Sequence, residues 1–312
     1  MPATRMSSTP SVTGLNTAPT PYTGRFAPSP TGPLHFGSII AALGSFLDAR
    51  HSNGRWLVRM EDIDRPRVAD GAAASILNTL EQLHLCWDGE VVYQSSRTDA
   101  YDAALAILHD RKQLYPCSCS RKLNRGRPYP GTCRERNLKP EGDHSLRVKT
   151  DAEPLTLNDM IQGDSSLYLM QDSGDFIVRR SDRIHAYHLA VVVDDHWQGV
   201  NHIVRGVDLL ESTPSQLHLQ RLLEYPTPRY AHLPIAVTAT GRKISKQNHA
   251  RDVMEHASPA AILLQALTFL GQQPSQELAA ATPAEVLQWG IANWEIGKVP
   301  RRKTIAVAEY AD

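Results

Sequence analysis

Between Gly24 and Ser38 the chain reads GRFAPSPTGPLHFGS, with three prolines, three glycines and one histidine in fifteen residues, directly ahead of the apolar run IIAALGSFL. A plain change of direction needs one Gly or Pro, so the crowding points to backbone that must approach something closely. A loop that leaves a strand and opens a helix presents N–H groups at the positive end of the helix dipole, which suits a phosphate chain, and glycine lets that chain come near. His35 stands where an imidazole can donate a hydrogen bond to such a phosphate. Neither the dinucleotide fingerprint GxGxxG nor a Walker GK[ST] is present. Far along the chain, GRKISKQ places Lys243 and Lys246 three apart around a serine, after the loop-forming TATG. Two flexible ammonium groups suit a departing pyrophosphate, because transfer at phosphorus depends on positioning and charge stabilisation. Taken singly, the first stretch has a tight turn as its alternative reading, and the second is more often a solvated basic loop; together they specify far more.

Other stretches carry chemistry of their own. RMEDID groups Glu61, Asp62 and Asp64 beside Arg59, Arg65 and Arg67, a strand-end cluster suited to ion pairs or to Mg²⁺. HIVRGVD sets Arg205 near Asp208. HAYH puts Tyr187 between His185 and His188, with no third metal ligand nearby. Asp194 and Asp195, after AVVV, are expected to cap a strand or orient neighbours. CSCSRKLNRGRPYPGTC offers Cys117, Cys119 and Cys133 on one loop; three thiolates make a structural zinc site once a fourth ligand completes the tetrahedron. No histidine lies inside the loop, and His144 is a candidate just beyond it. Three free cysteines in a packed turn are the alternative. Cys86, in HLCWDG, is expected to be buried.

The whole chain bounds these readings. At 312 residues it can bury a core without covalent staples, and Lys+Arg balances Asp+Glu at 33 each. Neutrality gives no global sign of a nucleic-acid partner, yet Arg111–Lys149 holds eleven Lys/Arg against three acids, a stripe able to collect phosphates. Four cysteines, three of them clustered, favour a metal over a disulfide scaffold. No segment has the uninterrupted apolar length of a membrane span, and no signal-peptide core opens the chain, so a cytoplasmic protein is expected.

The elements that must position these groups follow from pattern. Residues 1–21, rich in Ser, Thr and Pro, read as a disordered extension. TGRFAP reads as a strand, SIIAALGSFLDARHS as a helix opening at Ser38, and WLVRMEDID as a second buried strand: the βαβ signature of a parallel sheet. Two helices follow, the second capped by Ser96 or Thr98. Residues 115–174 break the rhythm and read as an inserted subdomain within a 22–257 domain, after which helix and strand alternate again. Residues 258–312 hold a helical pattern.

PSPTGPLHFGS resembles the HIGH signature, and KISKQ the KMSKS loop, of class I aminoacyl-tRNA synthetases; FAPSPTG with LHFG is the form of the glutamyl and glutaminyl branch. The resemblance runs from about Gly24 to Gln247 and includes RMEDID, YHLAVVVDD, IVRGVDLLESTP and AHLP. It implies a Rossmann-like α/β catalytic domain with a zinc-bearing insertion and a short helical C-terminal part. It implies that Arg25 and Arg205 face the γ-carboxylate of glutamate, that Glu61 takes the α-ammonium, and that Tyr187 closes a pocket lined by Arg25, Phe26, Ala27, Pro28 and Ser29. His35, Gly37, Ser38 and Lys246 would bind ATP, accompanied by Mg²⁺, with His35, Lys243 and Lys246 catalytic. Tyr129 would join Cys117, Cys119 and Cys133 on Zn²⁺. Because only Gln247–Asp312 remain where a full glutamyl-tRNA synthetase needs a large anticodon-binding part, the resemblance points to the branch that places glutamate on queuosine in the anticodon of tRNA(Asp). A monomer is expected. A shortened synthetase charging tRNA(Glu), a small-molecule ligase of the same superfamily and an inactive tRNA-binding module stand as alternatives.

Overall fold

The computed structural model describes residues 20–120, 128–136, 138–139, 142–242, 254 and 257–307. Lys243, Lys246 and nearly all of the expected 1–21 extension lie outside the described residues.

β1 (Thr23–Phe26), buried along its length, runs into the Pro/Gly turn, and α1 (Phe36–His51) leaves it. β2 (Arg55–Met60) returns parallel to β1 with Leu57 opposite Arg25. α2 (Ala72–Gln82) leads to β3 (Val92–Tyr93), parallel to β2, and then α3 (Thr98–Asp110). β4 (Leu114–Cys117), β5 (Ser145–Val148), β6 (Leu155–Asp159), β7 (Gly163–Leu167), the single turn α4 (Leu169–Asp172) and β8 (Phe176–Arg179) follow. α5 (Tyr187–Trp197), β9 (His202–Gly206), α6 (Thr213–Leu223), β10 (Arg229–Leu233) and β11 (Ile235–Val237) come next. α7 (Pro259–Phe269), α8 (Pro283–Asn293) and β12 (Thr304–Ala306) come last.

The parallel strands form a Rossmann-like arrangement in two hydrogen-bonded halves, β1-β2-β3 and β7-β6-β10-β9. Asn201 stitches them together: its N–H donates to Thr23 O (3.0 Å) and its side-chain Oδ1 accepts from Thr23 N (2.8 Å). The chain thus leaves β1 toward β2 on one side and meets β9 on the other, and such a switch point opens a crevice at the carboxyl ends of the strands. The β6–β7 hairpin joins the second half through Asp159 opposite Tyr230, whereas β4, β5 and β8 make a separate antiparallel sheet. α7 and α8 pack on α1: the Phe36 and Phe269 rings meet edge to face at 6.0 Å, and Trp294 Nε1 donates to buried Asp48 (2.9 Å). β12 pairs with β11, Ala236 opposite Ile305.

Four local expectations are corrected. α1 begins at Phe36, not Ser38, with His35 as its N-cap. The AVVV run belongs to α5, not to a strand: Leu189 through Val193 are all buried, and enclosure on every side overrides the β preference of valine. α3 takes no cap from Ser96 or Thr98; Ser96 Oγ instead donates to Tyr93 O. Cys86 is exposed, because the chain turns after α2 at His84 (φ 56°) so that Leu83 and Leu85 face the core.

Candidate active site

A cleft of about 310 Å³ opens at the carboxyl ends of β1, β2, β9 and β10. It gathers every described residue expected at a substrate. Arg25, Phe26, Ala27, Pro28 and Ser29 line one wall; His35, Gly37 and Ser38 present the start of α1; Glu61 comes from the end of β2, Tyr187 from the first turn of α5, and Arg205 from β9. The extended turn is fixed to its neighbours by backbone bonds, Glu61 N to Pro28 O (2.9 Å) and Ala69 N to Pro30 O (3.0 Å). His35 Nδ1 accepts from Ser38 N (3.4 Å), which places the neutral ring's proton on Nε2.

Buried charges are arranged behind the wall. Arg25 donates through Nε (3.1 Å) and Nη2 (3.4 Å) to Asp195, and Arg59 Nη2 donates to the same carboxylate (2.8 Å). Burial pushes the Asp195 carboxyl up, but Arg25 and Arg59 outweigh it and hold the group below the usual range. Asp194 accepts from Arg97, Tyr101 and Gln94. These two aspartates therefore orient neighbours. Of the RMEDID carboxylates, Asp62 accepts from Ser95 N and Oγ and Asp64 from Arg180, so they diverge from Glu61. Glu61 Oε1 lies 3.7 Å from Arg59 Nη2 and has no hydrogen-bond partner; burial pushes this carboxyl up to about 7 against the pull of Arg59 and Arg25. Burial and the Glu61 charge likewise raise the Tyr187 phenol.

Arg205 is held on the opposite side of the cleft. Its Nε donates to His232 Nε2 (3.1 Å), and its Nη2 donates to Thr213 Oγ1 (2.8 Å) and to Leu209 O (3.4 Å); buried Nη1 has no partner. Burial and the Arg205 charge hold the His232 imidazole below its ordinary value although Asp159 pulls it up. Sequence reasoning missed Asp159, Thr213 and His232. His232 stood within AHLP, but no spacing tied it to a carboxylate 73 residues earlier.

The thiols of Cys117, Cys119 and Cys133 lie within 4.8 Å of one another, and they form the one group with metal-ligand spacing among the described residues. His185 is taken up by Asp102 (2.9 Å), while burial pushes His188, edge-on to Phe176, down to about 4. The Tyr129 hydroxyl sits in the thiol group, 3.3 Å from Cys117 Sγ and 3.6 Å from Cys119 Sγ, and accepts from Cys133 N (3.0 Å). Arg147 stacks over the Tyr129 ring (3.8 Å) and donates to Cys117 Sγ (3.2 Å). Burial pushes the Cys133 thiol up, but hydrogen bonds led by the Tyr129 hydroxyl prevail and lower it to about 6. Three sulfurs, one phenol oxygen and an adjacent guanidinium fit a tetrahedral zinc whose ligands carry excess negative charge. His144 stands outside this cluster. No helix among the described residues is long and apolar enough to cross a membrane.

Comparison with known proteins gives the family of the chain. Residues 22–296 match the family of tRNA synthetases class I (E and Q), catalytic domain. The chain is 49% identical over 296 residues to a glutamyl-Q tRNA(Asp) synthetase of Thiobacillus denitrificans, covering 92% of this chain and 98% of that protein. It is 48% identical to the protein of the same name from Ectopseudomonas mendocina, covering 95% and 99%. The fold is similar to that of a crystalline glutamate-tRNA synthetase from Elizabethkingia anophelis, with TM-score 0.76 and 24% identity over 91% of this chain and 67% of that one. On these grounds the chain belongs to the class I glutamyl and glutaminyl tRNA synthetase family, and within it to the ligases named glutamyl-Q tRNA(Asp) synthetases.

Proposed function

We propose that this enzyme activates glutamate with ATP and passes the glutamyl group to queuosine in the anticodon of tRNA(Asp), in the cytoplasm. The observation that carries the reading is the convergence in one cleft of two buried arginines, one buried carboxylate and the N-terminus of α1. Arg25 and Arg205 face the γ-carboxylate, Glu61 takes the α-ammonium and Tyr187 closes the pocket. The substrate's α-carboxylate is thereby left free to attack the α-phosphorus of ATP. The bond from that phosphorus to the bridging oxygen breaks, and pyrophosphate leaves. His35 Nε2–H and the first turn of α1 face the phosphates with Mg²⁺ as counter-charge, and Lys243 and Lys246 are assigned to the leaving group. A queuosine hydroxyl then attacks the glutamyl carbonyl carbon, losing its proton as AMP departs. No protein nucleophile is needed, since the substrate's own carboxylate attacks.

Cys117, Cys119, Cys133 and Tyr129 would hold one Zn²⁺, which supplies a structural crosslink to the 115–174 insertion, within which most of the basic Arg111–Lys149 stripe lies. That insertion is proposed to hold the nucleic-acid strand. Glutamate-dependent ATP–pyrophosphate exchange, followed by labelled glutamate transfer to tRNA(Asp) with and without queuosine, tests the reading. Exchange together with queuosine-dependent labelling is expected. Absence of exchange removes the activation chemistry, and labelling of the tRNA(Glu) 3′ end would transfer the assignment to a shortened synthetase.

A further inference from the structure

Among the described residues, Arg205 pairs with no carboxylate, unlike Arg25 in the facing wall. Neutral acceptors hold it instead, and the one at Nε is His232 Nε2. That nitrogen accepts only while the ring proton sits on Nδ1. Asp159 Oδ2 lies 2.5 Å from His232 Nδ1 and fixes that tautomer, while Asp159 Oδ1 accepts the backbone N–H groups of Ile161 (3.0 Å), Gln162 (2.8 Å) and His232 (3.2 Å). His232 is fully buried and Asp159 nearly so. Tyr230 adds a flat support, its ring 5.4 Å from the Arg205 guanidinium carbon and stacked on His232.

We propose that Asp159 and His232 are a positioning pair that aims Arg205: Asp159 sets the imidazole tautomer, the imidazole fixes the guanidinium, and Nη1 is left pointing at the γ-carboxylate of glutamate. The proposal rests on the reading of Arg205 as a γ-carboxylate ligand. The relay has an electrostatic purpose. A carboxylate bonded directly to Arg205 would cancel its charge at the pocket, whereas a neutral ring keeps Asp159 one residue further away. The guanidinium thus retains the full charge that separates a carboxylate from the amide of glutamine. The β6–β7 hairpin, which carries Asp159, thereby takes part in amino-acid selection.

Asp159→Asn tests this directly. The Asn oxygen retains the three backbone bonds, but its amide now donates to Nδ1, which moves the ring proton to Nε2 and sets N–H against N–H at Arg205. In ATP–pyrophosphate exchange the expected result is a KM for glutamate raised about 10–100-fold, with kcat and the KM for ATP changed less than about threefold. The preference for glutamate over glutamine should fall with it. In a His232→Gln background, where the amide oxygen accepts from Arg205 and no tautomer exists to flip, Asp159→Asn should add less than about a twofold change. An unchanged KM in Asp159→Asn, or its full effect persisting in the Gln background, overturns the pair. If Asp159→Asn fails to fold, His232→Gln against His232→Leu gives the same answer: acceptor kept against acceptor lost, with equal KM values overturning the proposal. Arg205→Gln run in parallel separates the failures. A silent Arg205→Gln refutes the γ-carboxylate reading, whereas a raised KM there with a silent Asp159→Asn refutes only the positioning pair.

Discussion

Glu61 Oε1 and Arg59 Nη2 face each other at 3.7 Å behind the cleft wall, too far for a hydrogen bond, so the carboxylate is desolvated without being fully compensated. A group in that state is ready for a cation. The α-ammonium of glutamate is the cation the proposed chemistry brings.

The first prediction is a pH limb in glutamate affinity. With the Glu61 carboxyl raised to about 7, the pocket below that pH holds a neutral acid that must lose its proton before it can receive an ammonium. The KM for glutamate should rise as pH falls below about 7, approaching tenfold per pH unit, and stay flat above it. Glu61→Gln should erase the limb and leave KM high at every pH.

The same substitution should stabilise the ligand-free protein. The folded-state value of Glu61 lies above its ordinary 4.5, so its contribution to stability is fully present below 4.5 and is lost as pH rises through about 7. Glutamine mimics the neutral acid. Glu61→Gln should therefore raise ligand-free stability at pH 8 by on the order of 2–3 kcal/mol and change it little at pH 4.5, as read by denaturant titration at both values.

How much of this was legible in the sequence depends on how local the cause was. The approach of backbone to a ligand at 24–38 is written in Gly and Pro, whose constraints act within a few residues. The exposure of Cys86 was just as local, but it depended on a positive φ at a histidine, which no pattern announced. The AVVV run misled because its four-residue apolar signal is the same for a buried helix and a buried strand. Asp159 and His232 meet only through the parallel pairing of β6 with β10, and Asn201 joins the two half-sheets by reaching Thr23 across 178 residues of sequence. Contacts of that kind have no spacing to read.

Metal analysis of the purified protein should find one zinc per chain if the thiol group is loaded as proposed. Tyr129→Phe removes the phenol oxygen that lies beside two of the three sulfurs. It should weaken zinc against a competing chelator by at least about tenfold while Cys117, Cys119 and Cys133 remain. An unchanged affinity would return the fourth position to another donor.

Gly174 offers a test that touches no ligand. Its φ is +67°, and a Cβ built there would stand 2.1 Å from the carbonyl oxygen of Tyr129, which it meets in an isolated bridge. Gly174→Ala must displace the backbone of Tyr129. Loss of zinc affinity comparable with Tyr129→Phe is expected, in a variant that leaves glutamate-dependent pyrophosphate exchange within about twofold of the starting protein, as the two sites share no residue.

The pairing of β12 with β11 has a consequence for the edge of the cleft. β11 is the segment from which the chain departs toward the lysine loop, and its ladder partner is made some seventy residues later, at Thr304–Ala306. The HIGH-like turn and the cleft arginines Arg25 and Arg205 all precede that partner in the chain. The β11 edge of the cleft is thus closed only by a strand distant in sequence, so the Thr304–Ala306 segment must be in place before that edge is satisfied.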